Sequence, residues 1–196
     1  MIWRVRRVLT GHDAGGKSIF ISDGEASNIK EIASMPGLAL TDLWETKGAP
    51  ASNEGDADAA ARPVRLEPPQ RGTILRIVEF PPDSQWRGKA DARADGQEAF
   101  KSIGAGHARD RASSDPMMHR TSTVDYAIVL KGEIYAVMDE GEKRLRAGDI
   151  LVQRGTNHSW SVRGYEPCIV CFVLVSAKPL SFTKRKKAPK SKKKRK

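Results

Sequence analysis

Cysteine is scarce: the 196-residue chain has two, Cys168 and Cys171. That is too few for a disulfide-stapled secreted scaffold and fits a reducing compartment. Long apolar runs are also missing. The longest, Cys168–Val175, falls far short of the roughly 20 residues that span a bilayer. The opening MIWRVRRVLTGHD has basic residues without a following apolar stretch, so no signal peptide is read and a cytoplasmic location is expected. No period of 20–50 residues recurs, which excludes solenoids and propellers. What the chain does have is 39% hydrophobic residues, enough for one packed core and too many for a wholly disordered chain.

Charge is unevenly placed. The formal net charge is +10, yet Lys184–Lys196, KRKKAPKSKKKRK, holds ten Lys or Arg and no acid. The remaining 24 basic residues balance 24 acidic ones over 1–183. The high isoelectric point therefore belongs to a tail. Packed like charges repel and bury nothing, so 184–196 is expected to be a disordered basic tail. Its partners would be nucleic acid or other polyanions, held without sequence preference, and a nuclear address applies if the host has a nucleus. No aromatic interleaves the run, so base stacking is not expected.

The body reads as mostly β. Runs rich in β-formers occupy Ile2–Leu9, Ser18–Ser22, Leu38–Trp44 and Thr73–Phe80. From Val124 to Val175 short runs alternate with turn signals every 8–12 residues, the texture of an antiparallel sandwich or barrel. Between these halves, Asp83–Met118 is long and polar. Only Asp91–Ile103, with apolar spacing at Ala99, Phe100 and Ile103, reads as helical. So long a connection suggests a lid. Ala49–Arg62 reads as a surface loop.

Two motif matches dissolve in context. Gly11–Ser18, GHDAGGKS, satisfies the phosphate-loop pattern. That loop must open a helix, whereas IFISDG follows, so Gly15-Gly16 is better read as a hairpin turn. Cys168 and Cys171 are spaced C-x-x-C, but residues three apart on a strand face opposite sides, so structural thiols are expected.

Histidine is also scarce: four, at 12, 107, 119 and 158. On an extended strand His119, Thr121, Thr123 and Asp125 share a face, and His158 shares one with Trp160. Two imidazoles and one carboxylate form a set suited to Fe(II), leaving positions open for water, substrate or O₂. At these residues the chain resembles the cupin family of small metal-holding antiparallel barrels. His119, Asp125 and Gly132 occupy places of the first cupin motif, with Thr121 where a second His is expected. Gly148, Asp149, Gly155 and His158 match the second motif, one residue short.

The resemblance implies an antiparallel cupin, or jelly-roll, barrel with one short helix in a long lid-like loop. Residues 1–82 would complete the barrel and supply a dimer edge, 83–118 would be the lid, and 119–183 would carry the motifs. It further implies one divalent metal on His119, Asp125 and His158, with Fe(II) preferred over Mn, Ni or Zn. Thr121, Thr123, Gln153, Trp160 and His107 would line the substrate pocket. Three arrangements stay open: the two-His-one-Asp centre, recruitment of His107 as a fourth ligand, or a barrel without metal. The function implied is a metal-dependent enzyme acting on a small oxygenated molecule by dioxygenation, decarboxylation, isomerisation or dehydration. The alternative is a non-catalytic ligand-binding or regulatory barrel. A homodimer and no membrane partner are expected. Asp42 and Glu79 lie in other strands, their facing undecided.

Overall fold

The computed structural model describes residues 2–181, so the basic segment 184–196 and its polyanion contacts lie outside the described residues. Strands β1 (Arg6–His12) and β2 (Ser18–Glu25) form a separate hairpin. Its turn closes with Asp13 N–H donating to the Lys17 carbonyl at 2.9 Å, and Gly16 supplies the left-handed backbone (φ 79°) that side chains resist. No helix follows GHDAGGKS, in keeping with a turn rather than a phosphate cradle. The run expected from Ile2 pairs only from Arg6 onward. Before that, the Trp3 amide is taken by Glu79 Oε2 at 2.6 Å, which docks the entering chain on the barrel.

Two antiparallel sheets make the body. One has six strands in the order β3 (Ile29–Glu31), β4 (Ala39–Thr46), β5 (Thr73–Phe80), β11 (Cys168–Ser176), β6 (Thr123–Lys131), β9 (Ile150–Arg154). The other orders β10 (His158–Ser161), β7 (Glu133–Met138), β8 (Glu142–Arg146). Both contribute to one apolar core: Ile74 and Val78 from β5, Ala127 and Val129 from β6, Ile134 from β7, Trp160 from β10, Phe172 from β11. Burial alternates along β6, with Thr123, Asp125, Ala127 and Val129 inward. Gly132 turns β6 into β7 at φ 80°, and a Cβ there would meet the Pro167 carbonyl at 2.9 Å.

Strand parity also separates the cysteines. Cys168 is buried, Cys171 half-buried, and both are free. Burial pushes the Cys168 thiol up to about 12 and raises Cys171 as well, so neither is a nucleophile at neutral pH.

The long connection carries one short helix and packs against the core. Helix α1 (Ala92–Ser102) buries Ala92, Gly96, Ala99 and Phe100, and Trp86, Ile103 and Ala105 join them in the core. Burial of side chains the size of Phe100 contributes about 1.5–3 kcal/mol each. Polar ties hold the segment to β10 and beyond: Asp83 accepts the Ser161 hydroxyl at 2.6 Å and the Val162 amide at 3.1 Å. Arg87 pairs with Asp83 and Asp115, each at 2.9 Å. The segment is a wall of the barrel. Among the described residues no helix is long and apolar enough to cross a membrane.

Candidate functional site

His119 and His158 meet across a two-residue antiparallel bridge. Each amide donates to the other's carbonyl at 2.9 Å. Directly paired residues project to the same face, so the imidazoles come together with ring centroids 4.2 Å apart. The two motifs, 39 positions apart in the chain, are thereby joined at their histidines. Phe100 flanks His119 at 4.9 Å and Trp160 meets His158 edge-on at 5.9 Å.

Both rings repeat one arrangement. His119 Nδ1 lies 2.9 Å from the Met117 carbonyl, and His158 Nδ1 lies 2.9 Å from the Thr156 carbonyl. A carbonyl only accepts, so each Nδ1 carries the proton and each Nε2 keeps its lone pair; beside His158, the Gln153 amide protons go to the Thr156 carbonyl and hydroxyl rather than to Nδ1. Burial holds both imidazoles below their ordinary pKa, His158 well below it with neighbouring His119 adding to the effect. Neither Nε2 has a hydrogen-bond partner among the described residues.

Thr121, Thr123 and Asp125 are buried on one face, as strand parity predicts. Thr123 bonds the Asp125 carboxylate, and Thr121 Oγ1 lies 2.6 Å from Thr123 Oγ1. Either hydroxyl of the Thr121–Thr123 pair can be the donor. Asp125 Oδ1 is buried without a partner. Burial is the main cause that pushes this carboxyl up to about 6.

The histidines, Thr121, Asp125 and Trp160 all line one cavity of about 110 Å³ inside the barrel. The rest of its wall is largely apolar, with Phe80, Trp86, Phe100 and Phe172 and several aliphatic side chains. Gln153 sits behind His158, its amide nitrogen 3.0 Å from Nδ1, and bonds Thr156. Thr123 likewise supports from behind. His107 corrects an expectation: its side chain is 65% exposed and pairs with Glu67 at 3.0 Å, away from the cavity. It sits on the outer side of the connection, whose inner face is spent on core packing.

Sequence reasoning missed a buried ionic network. Asp42 and Arg76, 0% and 2% exposed, pair through Nε at 2.5 Å and Nη2 at 3.1 Å. Arg62 adds a contact to Asp42 at 2.9 Å and reaches Glu45. Arg76 also donates to the Leu66 and Arg65 carbonyls and forms part of the cavity wall. Charged residues in alternating strands gave no local sign of facing inward.

For a metal, the donor chemistry is half met. Two neutral imidazoles with free Nε2 atoms and carbonyl-anchored Nδ1–H groups are a suitable ligand pair. The full set is not assembled: among the described residues no three His, Cys, Asp or Glu side chains converge closely enough to hold an ion. Asp125 is shorter than the Glu usual in the motif.

No family model matches the sequence. Phomopsin biosynthesis cluster protein C' of Diaporthe leptostromiformis is 31% identical over 183 residues, covering 90% of this chain and 80% of that protein. The cupin-domain-containing oxidoreductase virC of Hypocrea virens is 29% identical over 184 residues, covering 90% and 78%. Among solved structures, the Schizosaccharomyces pombe Cnp3 cupin domain aligns with a TM-score of 0.43 at 11% identity, covering 89% of each chain.

Proposed function

The chain belongs to the cupin superfamily, and from that premise we propose that it is an enzyme of the oxidoreductase kind acting on a small molecule held inside the barrel. One observation carries the reading: two neutral imidazoles stand together at an apolar cavity with both Nε2 lone pairs unspent. His119 and His158 would hold one divalent metal, Fe(II) before Mn, Ni or Zn. Such an ion supplies Lewis acidity and, as Fe(II), access to O₂ chemistry.

The chain's own residues do the rest. The Met117 and Thr156 carbonyls hold each ring in the ligating tautomer. Gln153 packs behind His158 and limits its rotation. Trp86, Phe100 and Trp160 exclude water from the cavity, and Asp83 and Arg87 pin the connection that carries two of them. Depressed imidazole pKa values mean that the ligands stay deprotonated below the ordinary histidine range, so metal is retained on mild acidification.

The test is elemental analysis of the full-length protein purified without chelator, beside His119→Ala and His158→Ala. About one metal ion per chain is expected in the wild type and a loss in both variants. No metal in the wild type, even after anaerobic reconstitution with Fe(II), overturns the metal centre.

A further inference from the structure

The cavity's polar groups differ sharply in what they have left to offer. Arg76 is the one Lys or Arg among the described residues on its wall. Its charge is matched by Asp42, and all three of its nitrogens have acceptors. Asp83 is likewise spent, on Ser161, Val162 and Arg87. Four atoms remain open: the two Nε2 atoms, Thr121 Oγ1 and Asp125 Oδ1. With the imidazoles protonated at Nδ1, both Nε2 atoms accept, as does Asp125 Oδ1, while the Thr121 hydroxyl can donate or accept. Trp86 and Trp160 add only neutral indole N–H groups.

We infer that this cavity takes an uncharged, mostly apolar molecule bearing a hydroxyl or similar donor, with Asp125 as the residue that accepts it, and turns carboxylates away. The inference rests on the reading that the barrel cavity is the functional site, but not on the metal. It assigns Asp125, expected as a metal ligand, to the ligand instead. Three features favour that role. Oδ1 is buried and unpartnered, and Asp125 is 4% exposed on the wall of the cavity. The carboxylate does not converge with the histidine pair on a metal position among the described residues. A modest turn about the Cβ–Cγ bond, which is soft in Asp, presents Oδ1 to a bound hydroxyl. In the metal-free cavity a carboxylate would meet Asp125 and the two Nε2 lone pairs, with no free cation among the described residues of the wall to offset them.

The volume, about 110 Å³, is below the roughly 150 Å³ of a cavity that accepts benzene, so a single small ring is the largest probe to use. Phenol and toluene, equal in size, therefore serve as probes beside the slightly larger benzoate, with binding to the full-length protein stripped of metal by chelator followed by calorimetry or ligand-observed NMR. Phenol is expected to bind at least about tenfold more tightly than toluene, as a hydrogen bond to a charged acceptor provides, and benzoate most weakly. Asp125→Leu should bring phenol down to toluene. Asp125→Asn, which keeps the shape, should cut phenol's advantage at least about threefold because an amide oxygen is the weaker acceptor. Benzoate binding as tightly as phenol, no binding of either ring, or an unchanged phenol-to-toluene ratio in both variants overturns the inference. Elemental analysis of the preparation before stripping separates the two ideas. Phenol selectivity without metal retires the metal centre alone, and metal without selectivity retires this assignment alone.

Discussion

Removing the Asp42 carboxylate should be among the most damaging single changes in the barrel, and removing Arg76 with it should be nearly harmless. In Asp42→Leu, the 2% exposed Arg76 loses both carboxylate contacts and keeps only the Leu66 and Arg65 carbonyls. An uncompensated buried charge of this kind costs about 3–5 kcal/mol. For a chain of this size that lowers the thermal midpoint by about 6–20 °C. The reverse change, Arg76→Met, is milder because Asp42 retains Arg62 at 2.9 Å. A cost of about 1–3 kcal/mol follows from the lost charged hydrogen bonds. In the double variant Arg62 still has Glu45, and apolar side chains replace a pair whose desolvation was expensive. Stability should return to within about 1 kcal/mol of the wild type or exceed it. Urea unfolding of all four proteins, with slopes compared to confirm a common transition, gives the coupling energy. The reasoning fails if Asp42→Leu costs less than about 1 kcal/mol, or if the double variant is as unstable as the two single costs added.

Other expectations are briefer. The Asp125 carboxyl is raised by burial from an ordinary 3.8 to about 6, so its contribution to stability is fully present below 3.8 and lost as pH rises to about 6. Asp125→Asn should match the metal-free wild type in acid and exceed it above pH 6 by about 2–3 kcal/mol, and a flat difference across a pH series of denaturation midpoints would refute this. β2 is exposed along its whole length and carries Ile19, Phe20 and Ile21, Phe20 at 76%. We propose that this hairpin joins two copies, since an isolated hairpin is marginal in water. Sedimentation should give twice the chain mass for the wild type and a monomer for Phe20→Asp, and a wild-type monomer at micromolar concentration would refute the pairing.

Much of the site follows from local rules, and those were legible. Thr73–Phe80 is a strand as its composition indicates, and Thr123, Asp125 and Ala127 face inward because side chains alternate on any extended strand. The same parity sets Cys168 and Cys171 on opposite faces, and motif spacing singled out His119 and His158. Each of these depends on the backbone geometry of a few consecutive residues, which the residues themselves dictate.

Pairings between distant segments depend instead on which faces the whole barrel buries. Only the fold placed His119 opposite His158, turned Asp42 and Arg76 inward as a pair, and sent His107 outward to Glu67. It also converted the polar connection 83–118 into a cavity wall, because Trp86, Phe100 and Ile103 supply apolar surface that the two sheets leave uncovered. Strand parity says that a side chain points to one side or the other. Which side is the interior, and what waits there, is decided by the burial of surface contributed from every part of the chain at once.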